Sequence, residues 1–203
     1  MPDIVVTEVQ NRQEGWRGAL STILILVAAP VVALLLINFV FQSYQVSGPS
    51  MQTTLQDNDR LIVNKIPRTI AKITGKAYIP DRGDIIIFAK HGVQEFGSQS
   101  DKQLIKRVIG LPGERIIVKD GKITIINSEF PNGFDPDTSE EWKDNLSATT
   151  GNVDVTLGED EIFVCGDNRS NSLDSRTIGP ISAADIIGKL TFRLFPIGEA
   201  KSF

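Results

Sequence analysis

The chain has 203 residues, with 21 Lys and Arg against 25 Asp and Glu, one cysteine and one histidine. A single cysteine excludes an intrachain disulfide framework, and with only His91 beside it no Cys/His zinc set can form. The near-balanced charge and the lack of a basic stripe exclude a nucleic-acid partner, and no metal or other cofactor is expected.

Between Ala19 and Phe41 only Ser21, Thr22, Pro30 and Asn38 are not apolar, and no charge occurs between Arg17 and Asp57. At ~1.5 Å per residue a helix over this run reaches roughly 35 Å, enough for a hydrocarbon layer of about 30 Å. A buried core helix rarely stays apolar all round for so long. The run also exceeds the apolar segment of a cleavable leader, and Val46-Ser47-Gly48 is a poor small-x-small cleavage site. The expectation is therefore a tail over 1–18, a retained transmembrane anchor over 19–41 and a domain over 42–203. Arg12 and Arg17 precede the span, whereas only Arg60 follows it comparably close. That bias puts the N-terminus in the cytoplasm and the domain outside a cell membrane crossed once.

Beyond the span, short runs rich in Ile and Val alternate with turn signals. Arg60–Ile66, Asp84–Ala89, Gln103–Ile109, Val153–Leu157, Glu161–Cys165 and Ile187–Phe195 read as strands. Arg115–Lys119 and Lys122–Ile126 flank Asp120-Gly121, a pair suited to a type I′ hairpin turn. The domain is thus mainly β. Residues 91–102 read as an exposed loop, and 128–152, with Pro131, Gly133 and Pro136, as a surface insertion. Within it Asp137 and Glu140 suggest a capped short helix containing Trp142.

Three segments carry chemistry. Ser47-Gly48-Pro49-Ser50-Met51-Gln52-Thr53-Thr54-Leu55 begins about six residues past the span; a serine in such a turn is ordinarily structural. In Lys106-Arg107-Val108-Ile109-Gly110-Leu111-Pro112-Gly113, the lysine lies on a strand. Facing solvent it is a simple charge, but facing the core it loses hydration, its pKa falls and the neutral amine can accept a proton. The turn after it is no phosphate loop, since the GK[ST] ending is absent. The third segment, Gly166-Asp167-Asn168-Arg169-Ser170-Asn171-Ser172-Leu173-Asp174-Ser175-Arg176, is either a capped turn with one ion pair or a braced site loop.

Taken together and in this order behind an apolar span, the three segments resemble the type I signal peptidases. The match runs through Ser50-Met51, Thr54-Leu55, Lys106-Arg107, Gly110 to Gly113 and Gly166 to Arg176. The resemblance implies an extracytoplasmic antiparallel β-sheet catalytic domain and a serine endopeptidase. Its substrates would be the signal peptides of exported preproteins, cut at the membrane lipid surface near the secretion translocon. It implies Ser50 as nucleophile, Lys106 as general base, Ser172 as the hydroxyl that orients the lysine amine, and Asp174 with Arg176 as a loop brace. The Ser50 N–H, with Gly48, would form the oxyanion hole. Two positions depart from the common pattern: Thr53 replaces a proline, and Gly48 stands where some members have a serine. Subsites for small side chains are expected near Ser50 and Phe88.

Rival readings are a sortase-like enzyme using Cys165, His91 and Arg169 or Arg176, a Ser50/His91/Asp triad, a self-cleaving Ser-Lys repressor relative, and a non-catalytic anchored β-domain. No motif surrounds His91 or Cys165, and a lone cysteine at a strand end usually packs in the core. The apolar span and the lack of an N-terminal DNA-binding unit argue against the repressor relative.

Overall fold

The computed structural model describes residues 7–35, 40–95 and 98–203, with the side chains of 16, 18–34, 40–90 and 102–203. The chain divides into two compact units, 1–40 and 41–203.

The described part of the first unit is helix α1, Thr7–Leu35, which contains Pro30. Its apolar side chains point outward along most of its length: Leu24, Ile25, Leu26 and Leu34 are all at least 60% exposed. The hydroxyls of Ser21 and Thr22 both donate to the Gly18 carbonyl, so they are satisfied within the helix. Among the described residues no helix is long and apolar enough to cross a membrane. The apolar run, however, goes on past Leu35 to Phe41 through residues outside the described set.

The second unit is built on antiparallel strands: β1 (Phe41–Gln45), β2 (Arg60–Asn64), β3 (Ile85–Glu95), β4 (Ser98–Gly110), β5 (Arg115–Lys119), β6 (Lys122–Ile126), β7 (Val153–Thr156), β8 (Glu161–Cys165), β9 (Ile181–Ser182), β10 (Ile186–Phe195) and β11 (Lys201–Ser202). The larger sheet has the order β1-β2-β10-β3-β4-β8-β9, with β11 on β10, and the smaller has the order β6-β5-β7. Asp120 and Gly121 both have positive φ, 51° and 79°, as a type I′ turn between β5 and β6 requires.

Alternation along β3 divides the core. Ile86 and Phe88 pack with Val108, Ile162 and Val164, whereas Ile85 packs with Val46, Met51, Leu55 and Leu190, and Ile87 with Val63 and Ile187. A fourth cluster, with Ile109, Phe163 and Cys165 against Ile116, Val118, Ile123 and Ile125, joins the two sheets.

Several expectations need correction. Residues 91–102 are not a loop, since β3 and β4 pair from Ile85↔Arg107 out to Glu95↔Ser98. Phe41 starts a strand rather than ending a helix. The strand expected to reach Ile66 stops at Asn64, because Pro67 sits at the first turn of helix α2, Ile66–Thr74. Asp135, not Asp137, caps the short 3₁₀ turn Pro136–Thr138, and Trp142 caps another over Lys143–Asn145.

Candidate active site

Ser50 lies in the turn between β1 and β2, and Lys106 on β4 opposite Ile86. The turn is seated by the neighbouring loop: Asn168 N–H donates to the Ser50 carbonyl (3.1 Å) and Asn168 Nδ2 to the Pro49 carbonyl (3.1 Å). Met51 and Leu55 are buried beneath it and help hold it to the sheet. Val46, just before the turn, is buried in the same cluster.

The Lys106 amine bonds to Ser50 Oγ at 2.8 Å and donates to the Ile105 carbonyl at 2.8 Å. Lys106 is only 2% exposed. Burial disfavours the ammonium form and pulls its pKa down to about 8, although Asp174, Asp167 and Cys165 act in the opposite direction. A lysine so placed is neutral in about a tenth of molecules at pH 7 and about half at pH 8, far more than an ordinary lysine, which lets it serve as a base beside a hydroxyl.

The 166–176 loop reaches the pair through Gly166. A Cβ there would collide with Ser172 Oγ and with the Ser50 carbonyl, so only glycine allows the serine turn and the loop to approach so closely. Ser172 Oγ is buried and makes no hydrogen bond of good geometry, but it lies near enough to Asp174 to help keep that carboxylate ionised. The expected bond from Ser172 to the lysine is therefore not formed in this state, in which the amine is taken up by Ser50 and Ile105.

Asp174 and Arg176, expected as a loop brace, are paired with each other. Arg176 Nε and Nη2 donate to the two Asp174 oxygens at 2.8 and 2.7 Å, and Gly166 N–H donates to Asp174 at 2.9 Å. Burial opposes ionisation of Asp174, but the bonds from Arg176 and Gly166 prevail and hold its pKa below the ordinary value.

Gly48 is positioned differently from the oxyanion expectation. Its N–H donates to Asp57 Oδ1 at 2.9 Å and is already spent, so Gly48 offers no second donor here. Thr53, at the departure from the usual proline, donates to the Asn145 carbonyl at 3.1 Å and thereby ties the serine turn to the 128–152 segment.

A second ion pair went unassigned in the sequence. Arg107 Nε and Nη2 donate to both oxygens of Asp167 at 2.9 and 2.7 Å, and Thr54 Oγ1 also donates to Asp167. The guanidinium lies 5.3 Å over the Trp142 ring. This network joins the strand of Lys106, the serine turn and the polar loop. Arg169 is likewise held by Asp137 from the 128–152 segment. That segment therefore packs against the site loops rather than merely connecting strands. These partners lie 32 to 113 positions apart in sequence, so no local pattern marks them.

Beside Ser50 and Lys106 a cavity of about 130 Å³ is lined by Tyr44, Val46, Leu61, Ile87, Leu104 and Ile105, among others. Phe88 is not part of it: fully buried, it packs in the Val108 cluster because it alternates with Ile87 along β3. The rival constellation also comes apart. Cys165 is wholly buried, its thiol pKa pushed up by burial, and Arg169 and Arg176 are paired with Asp137 and Asp174. The His91 side chain lies outside the described residues.

Comparison with known proteins identifies the family. A family model described as signal peptidase, peptidase S26, matches residues 19–195. Signal peptidase I P of Bacillus subtilis subsp. natto is 35% identical over 180 residues, spanning 87% of this chain and 88% of the relative. Signal peptidase I U of Bacillus subtilis strain 168 is 34% identical over 185 residues, with 90% and 91% covered. A crystal structure of a signal peptidase I from Enterococcus faecalis V583 is 31% identical, with a TM-score of 0.42, and covers 57% of this chain and 100% of that one.

Proposed function

The chain belongs to the signal peptidase family, peptidase S26, and we propose that it cleaves preproteins with Ser50 as nucleophile and Lys106 as general base. The observation that carries the reading is the 2.8 Å contact between Ser50 Oγ and a buried lysine amine of depressed pKa. With the amine neutral, the same contact is made by the hydroxyl donating to the nitrogen lone pair. As Oγ bonds to the scissile carbonyl carbon, its proton passes to Lys106 Nζ. The ammonium then protonates the departing amine as the C–N bond breaks, leaving an ester on Ser50. A water molecule, deprotonated by the regenerated amine, hydrolyses that ester.

The oxyanion of each tetrahedral state lies against the Ser50 N–H. Ser172 Oγ, buried close to Gly166 with no well-formed hydrogen bond, is available to take one from the lysine once Ser50 Oγ is engaged by substrate. The small cavity beside the pair suits the short side chains that precede a leader-peptide cut.

The same reading places 19–41 across a cell membrane, with the tail cytoplasmic and the catalytic domain outside. Its support is the length of the apolar run and the outward-facing Leu and Ile side chains of α1. Tethering enzyme and membrane-borne preprotein on one lipid surface, near the translocon, raises their effective concentration without any new contact.

Ser50→Ala and Lys106→Ala are each expected to lower the rate of preprotein cleavage by at least ~10³-fold, because each removes half of a unit that acts together. Full activity in either variant would refute the dyad, whereas loss confined to Cys165→Ala would favour a thiol mechanism.

A further inference from the structure

Helix α2 presents its surface the wrong way round for a water-soluble domain. A surface helix normally turns its apolar stripe inward. Here Ile66, Ile70 and Ile73, spaced four and three apart on one face, are 38%, 54% and 80% exposed, and no residue of the helix is buried. The opposite face carries Arg68 and Lys72. Together with Tyr78 and Ser182 they line a cavity of about 300 Å³ between α2 and β10. The polar side thus faces the domain and the isoleucines face away from it.

Two further observations indicate what meets those isoleucines. Residues 65–80 hold Lys65, Arg68, Lys72 and Lys76 and no acidic residue, in a chain whose net charge is −4. A helix with an apolar stripe on one face and cations on the other fits the headgroup boundary of an anionic bilayer. In addition, α2 starts just after Asn64, which pairs with Phe41, the last residue of the apolar run. Phe41 is itself 43% exposed, so it and Ile66 extend the apolar surface at the sheet end where the chain leaves that run.

We propose that α2 lies on the anionic bilayer surface as a second, interfacial membrane contact, with Ile66, Ile70 and Ile73 in the headgroup–acyl boundary. The inference rests on the reading of 19–41 as an anchor. Its role would be to fix the orientation of the domain, so that the cleft beside Ser50 keeps a constant height above the lipid.

The test uses the full chain in phosphatidylcholine vesicles containing roughly a third phosphatidylglycerol. Cys165 is buried, so a single introduced cysteine can be labelled selectively with an environment-sensitive fluorophore. Three variants are compared: Ile73→Cys, Leu26→Cys in α1, and Lys122→Cys on exposed β6 as an aqueous control. Spin-labelled lipid is expected to quench the probe at 73 about threefold more than the probe at 122, approaching the effect at 26. Omitting phosphatidylglycerol should cut quenching at 73 by about threefold and leave 26 unchanged. Strong quenching at 26 with 73 no better than 122 would overturn this proposal and leave the anchor standing. No quenching at 26 but strong quenching at 73 would overturn the anchor and leave α2 as the membrane contact. Loss at both positions would overturn both, and shielding of 73 only by added protein would assign the face to a protein partner instead.

Discussion

Lys106 owes its chemistry to its surroundings. Removing water lowers its pKa to about 8, so protonation silences the base below that value. The expected kcat/KM falls about tenfold per pH unit below about 8 and levels off above it. A flat profile from pH 6 to 9 would remove Lys106 as the base. Lys106→Arg should not rescue activity, since a guanidinium stays protonated throughout this range. Gly166 makes a steric prediction of a different kind. Gly166→Ala pushes a methyl group into Ser172 and the Ser50 carbonyl, and should cost about 1–3 kcal/mol of stability together with most of the activity. Thermal unfolding and initial rates measure the two effects separately. By contrast, Ser172→Ala removes a hydroxyl that makes no well-formed hydrogen bond in the resting state and only adds to the stronger bonds that Arg176 and Gly166 give Asp174. It should leave unfolding within about 1 kcal/mol of the parent while lowering kcat/KM by tenfold or more, the pattern of a group that acts on the base rather than on the fold.

At the scale of elements, the site depends on the β3–β4 hairpin and on the loop after β8. Register Ile86↔Lys106 sets which residue of β4 meets the serine turn, and a slip of one residue would exchange Lys106 for a neighbour. Arg107 fastens the loop through Asp167. Arg107→Met leaves a fully buried carboxylate without its partner and should cost about 3–5 kcal/mol. Adding Asp167→Leu should recover part of that loss, and equilibrium denaturation of the single and double variants measures the coupling. Some of these elements were legible beforehand. Arg115–Lys119, Lys122–Ile126 and Glu161–Cys165 carry dense β-branched runs or a turn signal, and the observed strands have those same limits. The outer half of the hairpin carries polar residues such as Gln94, Gln99 and Asp101, so no alternation marked it, and long-range pairing alone makes it a strand. Helix α2 escaped notice because its isoleucines at four-and-three spacing are interrupted by Pro67 and Thr69 in a run of only nine residues.

At the scale of the whole molecule, the chain divides into two compact units. A chain beginning at Phe41 keeps every strand of the second unit and should unfold at nearly the same denaturant midpoint as the full chain. It should lose stable partition into vesicles and keep only weak, salt-sensitive binding through α2. Sedimentation with vesicles checks this, and undiminished binding would shift the main attachment away from the first unit.

The sequence by itself determined the β-rich class, the apolar N-terminal run and the three segments of the family's motif, because these are written in local runs and spacings. Only the tertiary structure decided that Lys106 is dry and bonded to Ser50, and that the Gly48 N–H is spent on Asp57. It likewise decided that Asp167, Asp137 and Asn168 carry the loops, and that the isoleucines of α2 face outward. Each of these depends on which distant groups share a small volume without water. Burial and partnership, unlike periodicity, are properties of the folded chain.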